Sequence, residues 1–297
     1  MEERTYAAAG VSLATADSVV ERLRAAVEST GAAGFGAFAG LYPLDDRRLL
    51  AASTDGVGTK LILARERGAL RACGADLAAH CINDVLTTGA APLFLLDYVA
   101  ANRISLDEVA ELVDGAAEVC RAARVALLGG ETAELPGIYR DDELDFAGTC
   151  VGIVDRERVV DGSAIREGDV VVGFPSAGVH ANGFTLVRRV LEEEDYTGGD
   201  LLAPTRLYIE EVRALAGLHG LAHITGGGIE GNLGRVVPEG LRAEIDWESW
   251  ERPPVFHWLA RHVDEDELRR VFNLGIGFCA VVPQPSGGRV IGRIVAA

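Results

Sequence analysis

The chain has 297 residues, 48% of them hydrophobic, and carries 45 acidic against 28 basic side chains for a net charge of −17. That balance excludes DNA or RNA as a partner, because binding a phosphate backbone needs a positive surface. No apolar run approaches the roughly 20 residues of a membrane span. The opening Met1-Glu2-Glu3-Arg4 is not a signal peptide, so a cytoplasmic protein is expected.

The five cysteines, Cys73, Cys81, Cys120, Cys150 and Cys279, are scattered without a C-x-x-C and read as buried free thiols. The length allows two domains, and 36 glycines fit the many turns of an α/β protein. Lys60 is the only lysine; every other long basic side chain is arginine. Lysine depletion with high acidity points to work in concentrated salt, where screening weakens self-repulsion.

In chain order, an amphipathic helix is expected over residues 16–29, with Val19, Val20, Leu23, Ala26 and Val27 on one face. Residues 31–40, with Phe35 and Phe38, read as a loop or short strand. An apolar run from Leu49 predicts a buried strand that breaks at Asp55 into Asp55-Gly56-Val57-Gly58-Thr59-Lys60, and Leu61-Ile62-Leu63 then open a helix. A helix follows over 73–89, with Asp76 as its cap, then a buried strand over 92–99. Ser105 and Glu108 make a capping-box pattern for a helix reaching about Arg124. A strand over 125–128 ends in the loop Gly129-Gly130-Glu131-Thr132, and 146–154 form a fourth strand.

The polar connection 155–168 marks a boundary between a first domain, 1–160, and a second, 161–297. There a strand over 169–174, a loop to Gly183 and a helix over 184–193 are expected. Pro204 suits the first position of another helix. Residues 222–224 lead into Thr225-Gly226-Gly227-Gly228, and strands over 241–245 and 275–282 close this half. Both halves put glycine loops at strand ends, where open α/β sheets bind ligands.

Several of these residues suit chemistry with a phosphorylated ligand. Asp55, Gly56, Gly58, Thr59 and Lys60 combine a carboxylate, flexible backbone and an ammonium at a helix start, which suits a phosphate and its metal. The pattern is not G-x-x-x-x-G-K-[ST], and a plain strand–turn–helix corner is the other reading. Asn83 and Asp84, with His80 one turn earlier, are either oxygen ligands for Mg²⁺ or an ordinary helix-surface pair. Glu131 and Glu134 are either ligands for a metal or a substrate amine, or caps. His180 is suited to acid–base work and Asn182 to contacting a ligand or capping a helix. Thr225 to Gly228 bring backbone without side chains towards a ligand.

Taken together, Ser53 to Lys60, Asn83-Asp84, Phe94 to Tyr98, Gly129 to Glu134, His180 to Gly183, Leu202 to Arg206 and Thr225 to Gly228 resemble the phosphoribosylformylglycinamidine cyclo-ligase (aminoimidazole ribonucleotide synthetase) family, over residues 6–295. The resemblance implies a homodimer of two-domain α/β (α+β) subunits, with N-terminal sheets pairing across the dimer. It implies ATP, Mg²⁺ and formylglycinamidine ribonucleotide as reactants, and aminoimidazole ribonucleotide, ADP and phosphate as products. Lys60, Glu131 and His180 are then expected to be catalytic, and Asp55, Gly56, Gly58, Thr59, Lys60 and Thr225 to Gly228 to hold ATP. Gly130, Glu131, Thr132 and Asn182 would hold the substrate, and Asp55, Asn83 and Asp84 the metal.

Two connections depart from the pattern: residues 192–201 are shortened, and the chain runs from Pro285 to Val290 almost directly, where relatives have a helix. Other readings are a thiamine-phosphate kinase, a selenophosphate synthetase or a hydrogenase maturation factor of the same superfamily, or a nucleotide-binding regulatory subunit without turnover. The absence of an N-terminal or C-terminal cysteine argues against the second and third.

Overall fold

The computed structural model describes residues 5–31, 35–285 and 287–297. The first half runs through α1 (Leu13–Glu28), β1 (Gly40–Pro43), β2 (Arg48–Gly56), α2 (Lys60–Glu66), α3 (Leu70–Leu86), β3 (Ala91–Ala101), α4 (Leu106–Ala123), β4 (Ala126–Glu134) and β5 (Leu144–Asp155). Its sheet has the order β1-β2-β5-β3-β4, antiparallel except for the parallel pair β3–β4. A 3₁₀ turn, Arg156–Arg158, leads out of it. The second half contains β6 (Val170–Pro175), α5 (Phe184–Leu191), α6 (Ile209–Arg213), β7 (Gly220–His223), α7 (Gly228–Gly234), β8 (Leu241–Ile245), α8 (Pro254–Leu259), α9 (Glu265–Val271), β9 (Ile276–Val282) and β10 (Arg289–Ala296). Its sheet is antiparallel throughout, in the order β7-β9-β6-β10-β8.

Hydrophobic pattern accounts for most of this. β9, Ile-Gly-Phe-Cys-Ala-Val-Val, is central and buried at every residue, as an unbroken apolar run predicts. β2 and β5 alternate, burying Ala51 and Ser53, and Phe146, Cys150 and Val154, towards α3. The opposite face of that sheet stays open, with Leu96 and Tyr98 exposed on β3. Packing between the halves is apolar and continuous: Leu61 and Ile82 belong to the same buried cluster as Phe184, Val187 and Tyr208.

Four expectations are corrected. Asp76 caps nothing: it lies inside α3, which starts at Leu70. The run after Leu128 is not a loop, since Gly129 to Glu134 continue β4 by pairing with residues 96–101 of β3. Pro204 precedes an extended segment, and the next helix, α6, begins only at Ile209. Glu108 does not reach back to close a capping box; Ser105 caps Glu108 N, while the Glu108 carboxylate pairs with Arg65. In the 31–40 stretch, residues 32–34 lie outside the described residues, and 40–43 form β1.

The helices over the first sheet cross at glycine. A Cβ on Gly74 would stand 1.9 Å from the Leu112 carbonyl oxygen, and one on Gly115 2.0 Å from that of Arg71. These are backbone atoms and cannot swing away. Gly74→Ala therefore forces α3 and α4 apart, and urea unfolding should show a loss of about 1–3 kcal/mol, the scale of an overpacked core.

Candidate active site

At the end of β2 the chain enters the glycine loop. Asp55 Oδ1 accepts its neighbour's amide, Gly56 N, at 2.7 Å, and Oδ2 stands 3.8 Å from His80 Nε2. Its side chain is 37% exposed, enough to meet a ligand. Gly56 and Gly58 are exposed as well, and Gly58 adopts φ +72°, which favours glycine.

The rest of the loop turns inward, contrary to expectation. Thr59 Oγ1 bonds Thr185 Oγ1 of α5 at 2.8 Å. Lys60 is 0% exposed: Nζ lies 2.6 Å from Asp76 Oδ2, and donates to the carbonyls of His180 and Ala203. The ammonium expected at a phosphate is committed to the joint between the halves.

On α3 the three polar residues meet three different partners. Asn83 is fully buried, donating to Arg206 O and accepting from Tyr208 N, so both ends of its amide are spent. Asp84 takes the Ser53 hydroxyl at 3.0 Å and faces His223 Nδ1 at 2.8 Å. Asn83 has no amide oxygen left for a metal, whereas each Asp84 oxygen meets one partner. Among the described residues no group of three or more His, Cys, Asp or Glu is arranged to hold an ion. A Mg²⁺ bound to nucleotide phosphates needs only one or two protein carboxylates. Asp55, partly exposed, fits that demand, whereas Asn83, with both ends of its amide bonded, does not.

The sheet register aligns the motifs. Asp55 pairs with Gly148, Gly148 with Asp97, and Asp97 with Gly130, so these four share one row and one face across β2, β5, β3 and β4. The Asp97 carboxylate lies across Gly130, where a Cβ would meet it at 1.8 Å. Burial raises the Asp97 pKa above the usual carboxylate range. Asp97 lies within the Phe94 to Tyr98 motif, and its place in an apolar strand gives no sign of a role.

Glu131 is exposed in the next row, about three strand spacings or ~14 Å from Gly56. Its Oε1 accepts Thr132 N. Thr132 is exposed too, while Glu134 is spent on Ile104 N. Gly130, Glu131 and Thr132 thus stand at the same end of the sheet as Asp55, separated from it laterally.

From the second half, the 177–183 loop reaches α3. His180 adopts φ +64° and its Nε2 accepts Ala177 N, leaving Nδ1 buried without a hydrogen bond. The ring packs against Gly277 and is 1% exposed, so it does not present itself to a ligand as expected. Asn182 is half-buried: its Nδ2 lies 3.3 Å from His80 Nε2, and its Oδ1 lies 3.6 Å from where a Cβ on Gly226 would stand.

Thr225 to Gly228 form a tight turn tied by Asn232, whose amide donates to the Thr225, Gly226 and Gly228 carbonyls. Gly227 and Gly228 have φ +104° and +65°, and a Cβ on Gly228 would strike Arg269 O at 1.8 Å. This turn, β2 and α7 line a cleft of about 1360 Å³ that includes Ser53, Thr54, Gly226, Gly227 and Asn232. At its rim Arg235 lies 3.9 Å over the Phe38 ring and donates to the Gly36 and Ala37 carbonyls. The cleft exceeds the volume of a single drug-sized ligand.

The comparisons with known proteins agree with this architecture. Residues 36–154 match the family described as "AIR synthase related protein, N-terminal domain", and residues 166–294 the corresponding C-terminal domain. Two such domains with a cleft between them define the AIR-synthase-related class of ATP-binding enzymes.

A phosphoribosylformylglycinamidine cyclo-ligase of Synechococcus sp. (strain CC9605) is 48% identical, over 96% of this chain and 90% of its own. One from Sorangium cellulosum (strain So ce56) is 46% identical over 97% and 90%, and the chloroplastic/mitochondrial enzyme of Vigna unguiculata 45% identical over 97% and 77%. Among solved structures, AaThiL complexed with AMPPCP and TMP has a TM-score of 0.70 at 16% identity, covering 93% of this chain and 90% of that one. T. maritima PurL complexed with FGAR has 0.62 at 18%, covering 89% and 45%. These two are likenesses of fold. The chain belongs to the phosphoribosylformylglycinamidine cyclo-ligase family, ATP-using ligases of purine biosynthesis.

Burial sets the acid response of the joint. Desolvation holds His180 well below its ordinary pKa and His223 down to about 3, and also lowers His80, which Asp55 partly opposes. The unfolded chain protonates these rings near 6.5, so their contribution is present above that pH and lost below it. Asp84, raised by desolvation to about 6, works in the opposite sense, but it is one group against three. Stability should fall as pH drops from about 6.5 towards 5. Replacing His223 by Asn, which keeps a donor for Asp84, should flatten that slope in urea titrations; an unchanged slope would show that the rings are not buried neutral.

Proposed function

We propose that this chain closes the imidazole ring of aminoimidazole ribonucleotide from formylglycinamidine ribonucleotide, with ATP converted to ADP and phosphate. The observation that carries the reading is one end of the first sheet meeting two loops of the second half. Asp55, His80, Asn182 and Gly226 come together there, and Gly226 also lines the adjoining cleft. A formyl amide oxygen is a poor leaving group. Transfer of the γ-phosphoryl group to that oxygen releases ADP and makes phosphate the leaving group. The amidine nitrogen then attacks the activated carbon, gives up a proton, and phosphate departs as the ring closes. Positioning and charge neutralisation do most of such work.

In this reading Gly226 and Gly227 admit the nucleotide close to backbone, with Gly56 and Gly58 facing its phosphates. Asp55 supplies the protein carboxylate to a Mg²⁺ ion, which would neutralise phosphate charge when bound. Asn182 and His80 orient the reacting end. Gly130 and Thr132 hold the substrate further along the sheet, while Glu131, in the row of Tyr98, leaves by the opposite face. Lys60, Asn83 and Asp84 support the joint, and His180 holds its loop. A cytoplasmic location belongs to the same reading; no helix among the described residues is long and apolar enough to cross a membrane.

The direct experiment is ADP release with formylglycinamidine ribonucleotide present and absent. Release should depend on that compound. Release that depends instead on thiamine phosphate, the alternative suggested by the fold's likeness to AaThiL, would overturn the reading. Asp55→Asn should raise the Mg²⁺ concentration needed for half-maximal rate much more than the substrate KM; equal metal dependence would move the carboxylate role elsewhere.

Assembly as a homodimer is part of the proposal. The uncovered face of the first sheet carries exposed Leu96 and Tyr98 on β3, with exposed Leu93 on the same strand and Leu128 on β4, a patch of the kind that marks interaction sites. Each chain carries −17, so a pair carries twice that, −34. Lowering the Debye length from about 30 Å at 0.01 M to about 3 Å at 1 M salt removes that repulsion. Light scattering should show a dimer in molar salt that loosens on dilution; a monomer throughout would refute the interface.

A further inference from the structure

The sole ammonium of the chain's side chains, Lys60, is closed off from solvent where the halves meet. Asp76 brings one carboxylate to it, and the carbonyls of His180 and Ala203 bring two more oxygens, at 2.6, 2.9 and 3.2 Å. The Phe184 ring closes the shell, its centroid 5.3 Å from Nζ. Asp76 is 0% exposed and its other oxygen accepts both the amide and the hydroxyl of Thr205, each at 2.8 Å.

One buried pair therefore grips two separate loops of the second half, 177–183 and 200–208, from α2 and α3 of the first. Two residues beyond His180 the first loop delivers Asn182 to His80 and Gly226. The second is held further by Asn83 at Arg206 and Tyr208.

We propose that Lys60 and Asp76 are positioning residues: together they hold the His180–Asn182 loop in register with α3, so that Asn182 meets His80 beside Gly226, which lines the cleft. Neither touches a ligand. The ammonium suits the place because a compact point charge can be shared among three oxygens within a closed shell. A guanidinium is wider, planar and directs its donors outward in a fork. This explains a lysine in a chain that otherwise uses arginine, without any contact to phosphate.

The inference rests on the cyclo-ligase reading for its kinetic arm and stands apart from it in a second arm. Lys60→Met alone leaves the Asp76 charge buried and unpaired, which endangers the fold. The informative variant is Lys60→Met with Asp76→Leu, since an apolar replacement of both partners is often neutral for stability. Its Tm should fall by the cost of leaving the Thr205 amide and hydroxyl without Asp76 Oδ1, with one cooperative transition retained. Its KM for ATP should stay within a few-fold, while kcat falls about 100-fold, the scale of a misplacement of about 1 Å. Lys60→Arg should not restore kcat.

Independently of turnover, NMR titration of the histidine rings and amide hydrogen exchange read the loop itself. His180 should titrate well below the ordinary imidazole range in the wild type. In the double variant loss of the Lys60 charge raises it by itself, so release of the loop is read from faster hydrogen exchange of the 177–183 amides as well as from a move back towards that range. A double variant with wild-type kcat overturns the proposal. So does a loss of kcat with the exchange of the 177–183 amides unchanged, because the loop has then not moved.

Discussion

The molecule turns on a charge that has been taken out of water. Removing an ammonium and a carboxylate from solvent costs several kcal/mol for each ion, recovered only when geometry is good and the remaining polar atoms are satisfied. Lys60 and Asp76 meet that condition by recruiting Thr205 and two backbone carbonyls from the opposite half. The cost of leaving either ion unpaired penalises any arrangement in which the halves separate or slip. Apolar packing around Phe184 and Tyr208 supplies adhesion, but apolar contact alone sets no register. The ion pair, with Asn83 and the Thr59–Thr185 contact, does.

With that register set, groups that are far apart in sequence become neighbours. Asp55 and His80 come from the first half, Asn182 and Gly226 from the second, and Gly226 also lines the adjoining cleft. Behind this front, Asp84, His223 and His180 form a dry, polar layer in which burial keeps the rings neutral. A polar layer of this kind is costly if disordered and selects one arrangement when complete. Its price in acid sensitivity follows from the same burial.

Much of the framework was legible from pattern. The apolar runs ending at Asp55, around Leu95 and along 276–282 became β2, β3 and β9, and Leu61-Ile62-Leu63 opened α2. Glycine misled in both directions. Gly129-Gly130 read as a loop because glycine weakens a strand, yet the ladder to β3 carries β4 straight through them. α7 starts on Gly227 and Gly228, where no ordinary start signal stands. β10 and helices α8 and α9 were not foreseen, since their short segments gain definition only by packing in the second half.

The directions in which the candidate side chains leave their elements were not legible. Spacing identifies which side chains leave a loop but not whether they leave towards a ligand or towards the other domain. Lys60, Asn83 and His180 all turn to the joint, and each depends on partners more than 100 residues away in sequence. Asp97 went the other way, from unassigned to a row with Asp55 and Gly130, because only register reveals it. The measurement that tests the central claim most directly is labelling of the single lysine with an amine-reactive reagent, read by mass spectrometry. A clamp buried between domains predicts that Lys60 stays unmodified in the native protein with or without ATP and reacts only on unfolding. Labelling in the native protein that ATP suppresses would place the ammonium at the nucleotide and contradict the account.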